Sequence, residues 1–433
     1  MAIIPQLNLF SWDEIEELGD LERLRLVLEH MPDEALMQKL EQKRGKGRDD
    51  YPVRAMWNAL LAGIVFQHDS DAKLLRELSR NGQLRMVCGF NGKAPTPWAF
   101  SRFLKNILDE ESEVAAMFDQ LVKQTETLLP GFGKRLAMDS KAIDSFTPHK
   151  SKNEKIDGRR DTDADYGKKV YCGTKEDGTY WEKIVTWFGY KLHLVVDAVY
   201  ELPVMYAVTK ASEPDINEGH RLLKQMEKRQ PGILEEAEVL TADRGYDDTK
   251  LITKCWDTYG IKPVIDIRNM WKDGERTRLL RDLKNVTHDY KGNVYCHCPK
   301  TSKEREMACG GFEKDRNTLK KLCPAKYYGV TCEGQSECPI VQAIRIPLSY
   351  DRRIFTPIDR ASDKWQREYR KRTAVERVNS RLDVSFGLEQ HTIRGMRKMQ
   401  TKCGLALCVM LAMAVGRIKE KQQEKMRSLI SAA

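Results

Sequence analysis

Three carboxylates stand where a site that cuts phosphodiesters would need them. Asp139 lies inside an apolar run, between Met138 and Ser140, and Asp243 closes a second run that begins at Glu238. A carboxylate in such a run is costly to bury unless a metal or another cation compensates it. The third, Glu376, follows an aromatic and a guanidinium: Tyr369, Arg372 and Glu376 are spaced i, i+3, i+7, which predicts one face of one helix. Val375, Val378 and Leu382 carry the same spacing and predict an adjacent apolar stripe that buries the helix. Three carboxylates beside phosphate-binding cations are the inventory of a metal-dependent phosphodiester enzyme. Asp139, Asp243 and Glu376 would hold two Mg²⁺ (or Mn²⁺) ions about 3.5–4 Å apart, one activating the attacking oxygen and one stabilising the leaving oxygen. Singly, each residue has an ordinary reading as a turn former, an ion-pair partner or a solvated helix position; their joint context is what separates the readings.

The elements that must position them are legible in outline. Residues 1–130 read as helical, with helices over Glu14–His30, Asp33–Gln42, Tyr51–Phe66 and Asp71–Ser79, and another starting at Thr96-Pro97. Short helices with basic residues could house a helix-turn-helix, and a plain helical packing domain is the competing reading. Leu129-Pro130-Gly131-Phe132-Gly133 marks a boundary. Residues 131–267 then supply strand candidates at Leu136–Phe146, Tyr190–Val199, Val204–Thr209, Glu238–Ala242 and Pro263–Ile267, with a helix at Asp247–Tyr259. Strands mixed with helices in this order give an α/β sheet. The basic stretch Lys150–Lys169 reads as an exposed loop or hairpin arm. Residues 268–350 interrupt the pattern with a charged, cysteine-rich insert, and residues 351–433 return to the core with the glutamate helix and a long final helix.

Other polar residues compete for roles. Asp144, Asp197 and Asp215 are rival carboxylates; Asp197 sits in a good strand and is read as structural. Lys191 and His193 project from the mixed face of the strand at Tyr190, where Lys191 is a candidate DNA contact and an ion pair is the competing reading. Six of the eleven cysteines fall between Cys296 and Cys338. Cys296, Cys298, Cys323, Cys332 and Cys338 suggest a structural Zn²⁺, with His297 as a further ligand candidate. The spacing lacks paired C-x2-C knuckles, so free thiols are the alternative.

Composition narrows the class. The 433 residues, 41% hydrophobic and 32% charged, are those of a globular chain large enough for several cores. The net charge is +9, and residues 351–400 hold 13 Lys and Arg against 7 Asp and Glu, so most of the excess surrounds Glu376. Positive charge placed there suits a polyanion. The longest apolar run, Gly404–Gly416, is shorter than the ~20 residues a bilayer needs and reads as a buried helix. No secretory signal is visible at Met1-Ala2-Ile3-Ile4-Pro5, so no membrane association is expected and the location is read as cytoplasmic.

Asp139, the run Ala242-Asp243-Arg244-Gly245-Tyr246-Asp247 and the Tyr369-x2-Arg372-x3-Glu376 pattern resemble the DDE transposases of bacterial insertion sequences, in the branch marked by Tyr-Arg-Glu-Lys. Gly189-Tyr190-Lys191-Leu192-His193-Leu194 and Arg372-Thr373-Ala374-Val375-Glu376-Arg377 are similar to the same branch, and Thr96–Phe103 to the domain that precedes it. The resemblance covers roughly residues 134–415. It implies an RNase H-like fold, a mixed five-stranded sheet with flanking helices. It also implies hydrolysis at the element's end, attack of the freed 3′-hydroxyl on target DNA, and double-stranded terminal inverted repeats and target DNA as partners. A homodimer holding both ends is implied as well, as are DNA-end binding by residues 1–130 and a bacterial, nucleoid-associated location. Tyr369, Arg372 and Arg377 would contact DNA. The branch's lysine, seven residues after the glutamate, is Asp383 here, which leaves that role to Arg377, Arg381 or a residue from elsewhere. The competing functional readings are a DNA-binding descendant that no longer cuts, and a nuclease that cannot rejoin.

Overall fold

The computed structural model describes residues 21–46, 50–148, 161–175, 177, 179–281 and 283–428. Two compact units result, one formed by residues up to Leu128 with Ser380–Ile393 and Arg397–Ala433, the other by Leu129–Asn379 with Arg394–Met396. The 351–433 segment, read from sequence as one return to the core, is thus divided between them.

The first unit is helical: α1 (Leu21–His30), α2 (Glu34–Arg44), α3 (Val53–Val65), α4 (Asp71–Arg80), α5 (Gly82–Cys88), α6 (Pro97–Asp109), α7 (Glu111–Leu128) and, late in the chain, α14 (Met396–Lys419). Local chemistry sets the starts. Ser70 and Asn81 accept from the amides of Lys73 and Leu84, and Thr96 caps Ala99 with Pro97 in the first turn, as the Thr-Pro signal predicts. α14 is long and apolar enough to span a bilayer, but 89% of its apolar window is buried inside the protein. Its side chains reach α1 and α7, with Gly416 against Leu26 and Arg397 paired to Glu111 at 3.2 Å.

The second unit is built on a mixed sheet. Its strands are β1 (Arg135–Asp144), β2 (Asp165–Thr174), β3 (Tyr180–Asp197), β4 (Leu202–Lys210), β5 (Val239–Ala242) and β6 (Lys262–Ile265). β1, β3 and β4 pair antiparallel, and β5 and β6 continue from β1 in parallel. The sheet has six strands, not the five expected. The extra one is β2, the first half of which falls in the stretch read as a loop or hairpin arm. Its partner β3 runs ten residues further toward the N-terminus than the sequence pattern indicates, and the two form a ribbon from Asp165↔Gly189 to Thr174↔Tyr180. Residues 150–160 of that stretch lie outside the described residues. Gly189 is where β3 passes from the ribbon into the sheet; a β-carbon there would stand 2.1 Å from the Ile143 carbonyl, so only glycine fits.

Helices α8 (Asp215–Arg229), α9 (Pro231–Glu236) and α10 (Thr249–Thr253) link the later strands. Asp248 caps α10 at 2.8 Å from the Leu251 amide, while Asp247 pairs with Arg353 at 2.8 Å. The expected Asp247–Tyr259 helix is shorter in its α-helical part and ends in a π-turn, Lys254–Thr258. Residues 268–350 fold as two small sheets. One contains β7 (Arg278–Leu280), β8 (Leu283–His288), β9 (Val294–His297) and β10 (Glu304–Glu306). The other contains β11 (Ala308–Glu313), β12 (Thr318–Leu322) and β13 (Ala343–Pro347), with α11 (Pro324–Tyr328) beside it. Val286, Val294, Leu319, Ile346 and Phe355 belong to one shared apolar core. A buried ion pair, Lys321 with Asp359 at 2.6 Å, lies under β12.

The single helix expected to carry Tyr369, Arg372 and Glu376 is two helices, α12 (Asp363–Arg370) and α13 (Thr373–Phe386). The break has a local cause. Arg372 and Val375 make tight three-residue bonds to Tyr369 and Arg372 carbonyls, and the Thr373 hydroxyl donates to the Arg370 carbonyl at 3.0 Å. A side-chain hydroxyl that takes a backbone acceptor competes with the helical ladder there.

Candidate active site

β1 and β5 are parallel and in register at Met138↔Ala242. Asp139 and Asp243 each follow that pair by one residue, so the sheet itself sets the two carboxylates side by side. Asp243 Oδ1 accepts the Gly245 amide at 2.7 Å as the chain turns out of β5. Gly245 leaves that oxygen its place: a β-carbon would lie 2.7 Å from it and turn the carboxylate aside. Asp139 Oδ1 accepts the Ser140 amide at 2.7 Å.

Arg372, in the turn between α12 and α13, brings in the third carboxylate. Its Nη1 lies 3.0 Å from Asp139 Oδ2 and its Nη2 2.7 Å from Glu376 Oε1. One planar guanidinium therefore ties together residues 139 and 376, as its fixed donor fork allows. Tyr369 stacks on Trp365 with ring centroids 4.8 Å apart and 12° between planes, and Arg372 lies over the same tyrosine at 6.0 Å. Trp365 and Tyr369 pack on the small core of Val239, Val264 and Ile358, which fixes α12 beside the strand ends.

The electrostatics are those of crowded acids. Burial, then the charge of Asp243, pushes the Asp139 carboxyl up to about 6, against the pull of the Ser140 amide, Arg372 and Lys169. Asp243 is also raised, by burial first and by Asp215 in addition. Two acids held above their ordinary range lack positive charge, and hard oxygen donors in that state fit a hard divalent cation. Mg²⁺ is commonly held by one or two carboxylates with substrate phosphates and water completing its shell. Among the described residues, no three His, Cys, Asp or Glu side chains close around a single point. The fit therefore rests on the paired aspartates, with Glu376 held nearby through Arg372.

The remaining sequence candidates are placed as follows. Lys191 is buried, its ammonium 3.0 Å from Asp215 Oδ1 and 2.8 Å from the Glu213 carbonyl, so the ion pair is what the structure holds there. Arg377 is tied to Glu201 at 2.7 Å and to the Thr373 hydroxyl at 2.8 Å. Asp197 accepts the amides of Gly133 and Val199, both at 2.8 Å, which fits a structural role. Asp383 lies on α13. Cys296, Cys298, Cys323, Cys332 and Cys338 all line one small cavity of about 20 Å³ with His297, yet no three of their sulfurs gather as a metal-ligand set. None of these cysteines is in a disulfide. A larger cavity of about 480 Å³, lined by Trp256, Lys262, Phe312 and Asp359 among others, contains none of the three carboxylates.

Sequence reasoning left three neighbours without a role. Lys169 reaches the carboxylates electrostatically from β2, where the polar stretch concealed a strand. Asp215 appeared only as one rival among several, although Pro214 before it is a helix-start signal. Tyr246, inside the motif around Asp243, is fully buried beside the acids, and burial and their charges hold its phenol protonated.

Comparison with known proteins places this geometry. The transposase DDE domain family matches residues 131–412, and a transposase domain, DUF772, matches residues 10–106. In class, the chain is a transposase. More narrowly, it belongs to the DDE transposase family, of the insertion-sequence type. A search of curated proteins finds no match. Among solved structures, a piggyBac transposase in a synaptic complex with hairpin DNA is similar at 10% identity and a TM-score of 0.38, over 95% of this chain and 79% of that one.

Proposed function

We propose that this transposase hydrolyses the phosphodiester at an insertion-sequence end and then joins the freed 3′-hydroxyl to target DNA, through Asp139, Asp243 and Glu376. The observation that carries the reading is the parallel β1–β5 register, which puts two raised carboxylates together, with Arg372 joining Asp139 to Glu376. When bound, Mg²⁺ or Mn²⁺ would polarise the phosphoryl oxygens and lower the pKa of an attacking water.

The chain's own residues do the positioning. Gly245 and the Ser140 amide hold the aspartates facing one another, and the Trp365–Tyr369 stack holds Arg372 at the rim. With DNA in place, Arg372 offers its planar donors to the phosphate next to the cleaved bond, and Tyr369 supports it. In the first step a water oxygen bonds to phosphorus and the 3′-oxygen leaves with a proton. In the second, that 3′-hydroxyl loses its proton and bonds to a target phosphorus, displacing the target's own 3′-oxygen. We read the sheet formed by β4, β3, β1, β5 and β6 as RNase H-like, the helical first unit as the DNA-end-binding part, and the active form as a dimer on double-stranded DNA. The missing lysine at Asp383 sets this chain apart from the Tyr-Arg-Glu-Lys branch pattern.

The test is a labelled duplex bearing the element's own ends, incubated with the protein in Mg²⁺, in Mn²⁺ and in EDTA, beside Asp243→Asn. Metal-dependent nicking at the terminal 3′ end, lost in the variant, is the expected result. Binding without cleavage in either metal would replace this reading by a DNA-binding descendant. Nicking without strand transfer from a precut end would leave a nuclease.

A further inference from the structure

Asp215 is the first residue of α8, and it points at the same place as Asp243. Gly245 stands between them. A β-carbon on Gly245 would lie 2.7 Å from Asp243 Oδ1 and 3.4 Å from Asp215 Oδ2. The two carboxylates thus converge on one small space from different elements. Asp215 adds to the cost of charging Asp243, and a purely structural ion pair with Lys191 would not need Asp243 as a neighbour.

Two buried polar atoms beside this pair have no hydrogen-bond partner. His193 is fully buried on β3; its Nε2 meets the Thr209 hydroxyl at 2.9 Å, while Nδ1 faces Asp215 Oδ1 at 3.9 Å and makes no hydrogen bond. Tyr246 is equally buried, feels the charges of Asp215, Asp139 and Asp243, and has an unpartnered hydroxyl. Buried polar atoms are nearly always paired with protein, water or a bound group. Two such atoms at one acidic cluster indicate a place made for something polar that the chain does not itself supply. Lys191 supplies one positive charge to Asp215 from behind, shared with the Glu213 carbonyl.

We propose that Asp215 is a fourth carboxylate of the cation site, holding a divalent cation together with Asp243, and that Lys191 is its resident counter-ion when the cation is absent. This rests on the function proposed above. It makes Lys191 and the cation competitors for Asp215: the ammonium keeps the carboxylate oriented, and a doubly charged ion displaces part of that interaction. His193 and Tyr246 then serve as polar neighbours for the water or carboxylate oxygens around the ion.

The experiment measures Mn²⁺ binding to the full chain without DNA, by calorimetry and by the Mn²⁺ resonance signal, for the unaltered protein and for Asp215→Asn, Lys191→Gln and Asp243→Asn. Asparagine keeps the shape of Asp215 and an acceptor for Lys191, and circular dichroism with thermal melting checks that each variant is folded. The expected result is a loss of about tenfold or more in Mn²⁺ affinity for Asp215→Asn, the scale on which supporting groups of a metal site act, and tighter binding for Lys191→Gln. Affinity in Asp215→Asn equal to that of the unaltered protein overturns the proposal, as does an equal weakening in both variants, which a structural pair would give. If binding is lost in Asp243→Asn but untouched in Asp215→Asn, this inference fails while the proposed function stands. If the unaltered protein binds no Mn²⁺ and cuts no DNA, both fall.

Discussion

Asp139 is held in a state that costs the fold energy, and the cost has a predictable size and pH range. Its carboxyl rises from an ordinary 3.8 to about 6 because it is buried beside Asp243. A rise of this size corresponds to roughly 3 kcal/mol of differential interaction between the protonated and charged forms. A carboxyl whose folded pKa is raised favours the fold when protonated, so the penalty is absent below about pH 4, grows between pH 4 and 6, and is complete above 6. Asp139→Asn removes the charge and keeps one acceptor oxygen, enough for the Ser140 amide on Oδ1, while the contact that Arg372 makes with Oδ2 is lost. In EDTA at pH 8 the variant is therefore expected to unfold later than the unaltered protein, by up to about 3 kcal/mol for the sheet unit. At about 2–4 °C per kcal/mol for a body of 150–250 residues, that is a gain of several degrees. The assay is calorimetric melting of both proteins at pH 8 and pH 4, each with EDTA, followed by pH 8 with Mn²⁺. The gain should vanish at pH 4, and Mn²⁺ should raise the melting point of the unaltered protein more than that of the variant. A variant no more stable at pH 8, or one equally stabilised at both pH values, would refute the argument that crowded charge at Asp139 is what the site holds in reserve.

Three further outcomes are expected. Gly245→Ala puts a carbon 2.7 Å from Asp243 Oδ1; turning that carboxylate aside should cost on the order of 10²-fold in cleavage with little change in melting temperature, read by the nicking assay and calorimetry together. Arg372→Lys keeps the charge but loses the fork that spans Asp139 and Glu376, so cleavage should fall while nonspecific DNA retention, measured by filter binding, changes little. Lys321→Met strips a fully buried partner from Asp359 and should destabilise the sheet unit by about 3–5 kcal/mol, visible as a lower denaturation midpoint.

The parts of this protein that could be read from sequence share a feature: their signal is local. Asp243 sits at the end of an apolar run with a tight turn after it, and Thr96-Pro97 opens a helix, so both are placed by their immediate neighbours. The parts that escaped depend on partners far along the chain. β2 is lysine- and glycine-rich and lacks apolar alternation; it is a strand because β3 extends to meet it, with the Trp187 ring lying where a side chain on Gly167 would be. The break before Thr373 hides inside faultless helical spacing, since one hydroxyl and two tight turns decide it. Asp215 could not be told from Asp144 or Asp197 without the sheet that carries Lys191 to it. The clustered cysteines were the opposite case, close in sequence and in space without making a ligand set.

The bridge from Arg372 to Asp139 spans 233 residues of sequence, and this has a consequence for the protein's birth. At roughly 5–20 residues per second of synthesis, on the order of 10–50 s separate the emergence of the first aspartate from that of the guanidinium that ties it to Glu376. For the first 104 residues of that interval the nascent chain carries only the first of the two aspartates, and after that both without Arg372 or Glu376. Under the proposed function, the site is therefore complete only when nearly the whole chain has been made.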